Sequence, residues 1–97
     1  MPTPVSGTTD SRFAALREAL QWGFDEEIDH GAALSVVVDG KVVVDLWGGH
    51  ADAARQKPWQ RDTVVNVWSV TKGVMALAVA MLVERGRLDY AAPIARV

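Results

Sequence analysis

A-L-S-V-V-V-D-G-K-V-V-V-D-L-W, Ala33 to Trp47, is the stretch that decides the fold. Two runs rich in β-branched residues flank Asp39-Gly40. A two-residue hairpin loop needs positive φ at both central positions, and Asp-Gly meets that need at low steric cost. The pattern predicts strands over Ala33–Val38 and Lys41–Trp47, with Gly48-Gly49 ending the second. Both runs are apolar at nearly every position, which predicts cover on both faces of the hairpin.

Upstream, Phe13, Leu16, Leu20, Phe24 and Ile28 recur at helical spacing, with Arg17, Glu18, Asp25, Glu26 and Glu27 between them. This predicts an amphipathic helix over 11–29, capped by Asp10 or Ser11 and ended near Gly31. The acidic cluster Asp25–Glu27 reads as its solvated face. Residues 1–10, rich in Pro, Thr, Ser and Gly, read as a flexible lead-in. Downstream, 50–62 is a polar connector and Thr63–Trp68 a short extended stretch. A second helix is predicted over Val70–Arg85, closed by Gly86 as its C′ residue. From Val74 to Val83 that helix is apolar all round, which predicts burial on every side. Leu88–Pro93 reads as a turn.

The order helix, hairpin, connector, helix gives a mixed α/β (α+β) chain. A lone hairpin and a wholly apolar helix do not make a finished domain. The expectation is therefore that 11–97 form the N-terminal portion of a larger domain, or that its apolar faces are covered by another chain.

Composition narrows the function. The chain has 97 residues, of which 49% are hydrophobic and 23% charged, and a net charge of −2 with both signs interspersed. No basic stripe is present, which argues against nucleic acid as a partner. Without cysteine there is no disulfide and no thiolate nucleophile or ligand. Val74–Val83 is too short to span a bilayer, so no membrane partner is expected. The first residues lack the basic and apolar regions of a signal peptide, and the expected location is cytoplasmic. His30, His50 and the scattered carboxylates lack metal-ligand spacing, and no cofactor is implied.

One short motif carries chemistry. Ser69 stands three residues ahead of Lys72 at the mouth of the second helix, where positions i and i+3 share a face. A serine hydroxyl becomes a nucleophile when a neighbouring base takes its proton. A buried helix would desolvate Lys72 and favour its neutral form. The helix dipole would favour an oxyanion near the Ser69 amide. The plainer alternative makes Ser69 an N-cap and Lys72 a solvated first-turn residue. A histidine triad through His30 or His50 lacks the Gly-x-Ser-x-Gly elbow around Ser69. Of Trp22, Trp47, Trp59 and Trp68, most read as core packing. Trp68, beside Ser69, is the candidate for a substrate-pocket wall.

The stretch Val43–Asp52, with its Trp47-Gly48-Gly49, then Lys57-Pro58-Trp59, Asp62-Thr63 and Ser69-Val70-Thr71-Lys72-Gly73, resembles the start of a serine hydrolase of the β-lactamase-related superfamily. It looks most like the class C β-lactamase-like esterases known as family VIII carboxylesterases. The tail Gly86–Val97 resembles the segment that follows the active-site helix there. The resemblance implies a sheet-plus-helical-lobe fold with the site in the cleft between. It also implies Ser69 as acyl-enzyme nucleophile, Lys72 assisting its deprotonation, and the Ser69 amide as half of an oxyanion hole. The implied substrate is a small carboxylic ester, with a β-lactamase or D,D-peptidase as the alternative. A non-catalytic binding module on the same fold is the alternative of another class. The chain departs from the family in lacking the downstream Tyr-x-Asn and Lys-Thr-Gly-like motifs. Tyr90, its only tyrosine, has no Asn two residues on. The expectation is an incomplete hydrolase whose other half-site lies beyond these residues.

Overall fold

The computed structural model describes residues 3–96. The chain divides into two compact units, one reaching to Val65 and the other starting at Asn66.

The first unit is a three-stranded antiparallel sheet carrying one helix. Its elements are β1 (Ser6–Thr9), a 3-10 turn (Ser11–Phe13), α1 (Ala14–Asp25), β2 (Gly31–Val38) and β3 (Lys41–Gly49). The strand order is β1-β3-β2, so β3 is central. The predicted hairpin is present, with φ of 49° at Asp39 and 75° at Gly40. Its strands extend two residues further at each outer end than the sequence suggests, to Gly31 and Gly49.

β1 corrects the expected flexible lead-in. Ser6–Thr9 pairs with β3 from Ser6↔Trp47 to Thr9↔Val44. Composition misleads here because the strand is held from outside. Arg17 donates to the carbonyl oxygens of Val5 (2.9 Å) and Gly7 (2.6 Å). Gln21 accepts from the Val5 N–H at 2.9 Å and donates to the Thr3 carbonyl at 2.8 Å.

Asp10 caps the 3-10 turn that leads into α1, its carboxylate accepting from the Arg12 N–H at 2.9 Å. The adjacent Arg12 guanidinium helps hold that carboxyl below its ordinary pKa. The helix stops four residues short of the predicted 29. Glu27 takes φ 57°, its N–H donates to Phe24 O (3.1 Å), and the Ile28 N–H donates to Gly23 O (2.9 Å). This is a Schellman closure with a glutamate in the position glycine favours. It leaves Ile28 outside the helix and 63% exposed.

The core lies between α1 and one face of the sheet. Val44 and Leu46 are fully buried, with Phe13, Leu16, Leu20, Leu34 and Val36 against them. Burial of each such aliphatic side chain is worth about 1.5–3 kcal/mol. The register slips between Val36 and Val37: Val36 faces Val44, but Val37 faces Val42. The unpaired Val43 is a β-bulge, and it explains why two consecutive residues, Val43 and Val44, are both buried. The Phe24 ring lies over Gly48, where a Cβ would meet it at 2.6 Å. The other face of β2 (Ala33, Ser35, Val37) is exposed. Cover on both faces is thus not realised within this unit, because it contains a single helix.

The connector is an ordered loop. His50 bridges to Pro58, Trp59 N–H donates to Gly49 O at 2.9 Å, and Asp52 Oδ1 accepts from the backbone N–H groups of Lys57 (2.8 Å) and Gln56 (3.0 Å). Arg61 Nε reaches back to Asp45 of β3 at 3.1 Å.

The second unit comprises a 3-10 turn (Trp68–Val70), α2 (Thr71–Glu84) and a tail ending in a 3-10 turn (Ile94–Arg96). Gly86 at φ 70° closes α2 as predicted, with its N–H on Val83 O and that of Arg87 on Leu82 O. The predicted turn at Leu88–Pro93 is built on Asp89, whose carboxylate accepts from the Ala91 N–H at 2.9 Å. No residue of α2 is buried, against the expectation of burial on every side. The tail lies against the C-terminal half of α2, where Leu88, Tyr90 and Ile94 line a hollow with Val79 and Val83.

Candidate functional site around Ser69

The site is built on a change of backbone geometry. Thr63–Val67 is extended and irregular, and α2 begins at Thr71. Between them Val67 sits at φ −105°, ψ 3°, and Trp68 takes φ 50°. A positive φ on a bulky residue is an outlier that its surroundings must hold. Here the Trp68 N–H donates to Asn66 Oδ1 at 2.9 Å, and the Val70 N–H closes onto Val67 O at 3.2 Å. The chain therefore bends sharply into the turn that carries Ser69 at its centre.

Ser69 lies in the 3-10 turn and Lys72 is the second residue of α2, less than one helical turn further on. Both are exposed. Among the described residues no hydrogen bond joins the Ser69 hydroxyl to the Lys72 ammonium, and no acceptor takes the Ser69 N–H. An N–H without an intrahelical partner is what a helix start leaves available. Ser69 is not an N-cap: no side-chain cap bond precedes either the turn or α2. The desolvation expected for Lys72 is not supplied by residues 66–96, since α2 lies bare there.

Trp68 is 78% exposed. Trp22 is also exposed at 59%, whereas Trp47 and Trp59 are half-buried, which corrects the expectation that most of the four serve the core. His30 and His50 belong to the first unit, where their ring centroids are 6.1 Å apart and His30 Nε2 contacts the Asp52 carbonyl. Among the described residues no cluster of three or more metal-ligating side chains forms, and no helix is long and apolar enough to cross a membrane. Asn66 was missed in the sequence. The available signal was an Asn two residues ahead of a position that must turn, the spacing of an Asx-turn.

The chain is similar to several known proteins. The Beta-lactamase family model matches residues 23–97. The chain is 43% identical over 91 residues to the esterase/beta-lactamase LipL of Mycobacterium tuberculosis, covering 94% of this chain and 21% of that protein. It is 36% identical over 95 residues to the esterase EstB of Burkholderia gladioli, covering 98% of this chain and 24% of that protein. Among solved structures, a family VIII carboxylesterase superposes with TM-score 0.90 at 39% identity, over 95% of this chain and 25% of that one. A penicillin-binding protein homologue from Caulobacter crescentus gives TM-score 0.83 at 44% identity, over 89% of this chain and 23% of that one. The chain thus spans about a quarter or less of the length of these relatives. With a family model over most of its length, and with fold and sequence agreeing, this chain belongs to the Beta-lactamase family of serine hydrolases.

Proposed function

We propose that this chain carries the nucleophile-bearing part of a hydrolase that cleaves small carboxylic esters through a covalent acyl-enzyme on Ser69. The observation that carries the reading is the placement of Ser69 and Lys72 three residues apart across the turn that opens α2. Neutral Lys72 Nζ takes the proton as Ser69 Oγ forms its bond to the ester carbonyl carbon. The carbonyl oxygen becomes an oxyanion, and the Ser69 N–H faces it as one of two donors. Collapse of the tetrahedral adduct breaks the bond to the alcohol oxygen, which leaves with a proton. Water then repeats the sequence on the acyl-enzyme, releasing the acid and restoring Ser69. Trp68 forms an apolar wall for the acyl or alcohol group. A second general base and the second oxyanion donor come from residues beyond this chain. The protein needs no cofactor and acts in the cytoplasm. The remainder of the hydrolase, or another subunit, covers the apolar faces.

A β-lactam or D-Ala-D-Ala substrate is the second reading, favoured by the names of two relatives, an esterase/beta-lactamase and a penicillin-binding protein homologue.

The test is mass spectrometry of the full-length protein after treatment with a fluorophosphonate, and separately with a β-lactam. A covalent adduct on Ser69, lost in Ser69→Ala, is expected with the fluorophosphonate. No adduct on Ser69 would overturn the proposal in favour of a binding module.

A further inference from the structure

α2 opens with a glycine that no contact among the described residues explains. Gly40 and Gly86 stand at positive φ, and at every other glycine but Gly73 a Cβ would meet a neighbouring atom at 2.6 Å or less. Gly73, the third residue of α2, has neither reason: it lies in regular helix, and a Cβ there would meet nothing within 4 Å. A glycine inside a helix costs stability relative to alanine. Here that cost falls beside the Ser69–Lys72 pair, since Gly73 follows Lys72 directly and stands four residues beyond Ser69. The backbone between is helical, with φ −57°, ψ −24° at Val70 and φ −52°, ψ −32° at Thr71. Positions four apart on a helix share a face, and a helical side chain leans toward the N-terminus over the preceding turn. A side chain at position 73 would therefore lie against Ser69. We propose that Gly73 is a specificity-determining residue: its missing side chain keeps open a space beside Ser69 Oγ for the acyl group, and so admits esters of acids branched next to the carbonyl. The proposal rests on the reading of Ser69 as nucleophile.

The chemistry of Ser69 decides which part of the substrate needs the space. Oγ bonds the carbonyl carbon, so the acyl chain stays attached to Ser69 while the alcohol leaves. The acyl α-carbon is joined to that same carbonyl carbon and is held close to the helix surface around Ser69. Cβ atoms four positions apart are about 5–6 Å from each other, so a methyl at position 73 would crowd a branch on the acyl α-carbon. An acetyl group has no branch to be crowded. A segment packed from elsewhere in the protein is the other claimant for the space. In that case an added methyl would overpack the fold and destabilise it, rather than select among esters.

The experiment measures kcat/KM for p-nitrophenyl acetate and p-nitrophenyl pivalate in the full-length protein and its variants, with thermal unfolding and fluorophosphonate labelling of Ser69 alongside. Gly73→Ala is expected to lower the pivalate-to-acetate ratio of kcat/KM roughly tenfold or more, the scale of one methyl group in a substrate pocket. Its melting temperature should hold or rise, because alanine favours the helix. Gly73→Val should lower the ratio further. A ratio equal to the parent's in both variants would overturn the specificity role, as would a parent that cleaves the acetate but not the pivalate. A fall of several degrees in the melting temperature of Gly73→Ala, with both esters slowed alike, would assign the space to a packed segment and also overturn it. Absence of any label on Ser69 in the parent would instead overturn the nucleophile reading, and the specificity role with it.

Discussion

Arg17, on α1, donates from Nη2 to the carbonyl oxygen of Gly7 at 2.6 Å, and this contact makes strand β1 a third strand rather than a loose tail. Its second donor takes the Val5 carbonyl. Charge-assisted bonds of this kind are worth about 1.5–3 kcal/mol each before context is counted. Arg17→Ala is therefore expected to destabilise the protein by about 2 kcal/mol. Amide exchange over Ser6–Thr9 should accelerate selectively. Arg17→Lys should recover only part, since one ammonium does not reproduce the two-armed geometry. Unchanged exchange in β1 would contradict this account.

Gly48→Ala tests the packing of α1 on the sheet. The new methyl would meet Phe24 Cε2 at 2.6 Å, inside van der Waals contact. The expected loss is about 1–3 kcal/mol by denaturant unfolding. Combining it with Phe24→Leu should cost less than the sum of the two single changes. Strict additivity would show that the ring does not sit on Gly48.

The loop closed by Asp52 should respond to acid. The backbone N–H of Lys57, helped by that of Gln56, holds its carboxyl below the ordinary 3.8 against the opposing effect of desolvation. A depressed folded-state pKa means stability that is present above about pH 4 and is lost as pH falls through the folded value. Protection of the Gln56 and Lys57 amides should therefore hold from neutral pH to about 4 and fall below it. Asp52→Ala should remove the protection at every pH. Protection that falls already between pH 7 and 5 would point to another group.

Lys72→Ala is expected to slow Ser69 acylation by roughly 10²–10⁴-fold, the range for loss of a positioned base. Labelling at the parental rate would remove Lys72 from the mechanism. The 97 residues alone should show no Ser69-dependent turnover of a short-chain p-nitrophenyl ester. Robust turnover by them, lost in Ser69→Ala, would show that they contain a complete site.

The hairpin was legible because Asp39-Gly40 states its turn chemistry locally, and Gly86 marked the end of α2 for the same reason. Strand β1 was not, because the residues that hold it, Arg17 and Gln21, are ten or more positions from the backbone groups they bind. The end of α1 was missed because glutamate, not glycine, fills the left-handed position at residue 27. At the candidate site, spacing singled out Ser69 and Lys72 as candidates, but the positive φ of Trp68 left no trace in residue type. The cover for α2 was expected from its apolar periphery, yet residues 66–96 contain too little else to provide it.

The bulge at Val43 also sets how the hairpin tolerates changes of length. Residues 42–44 are three identical valines, of which only two face partners on β2. An in-frame deletion of one valine codon there leaves a straight ladder, with every pairing from Val44 to Gly49 unshifted, at the expense of one buried side chain. A fourth valine finds no such slack and must move either the Asp39-Gly40 turn or the buried pair Val44 and Leu46. Shortening by one residue is thus the milder lesion in this hairpin, and lengthening the severe one.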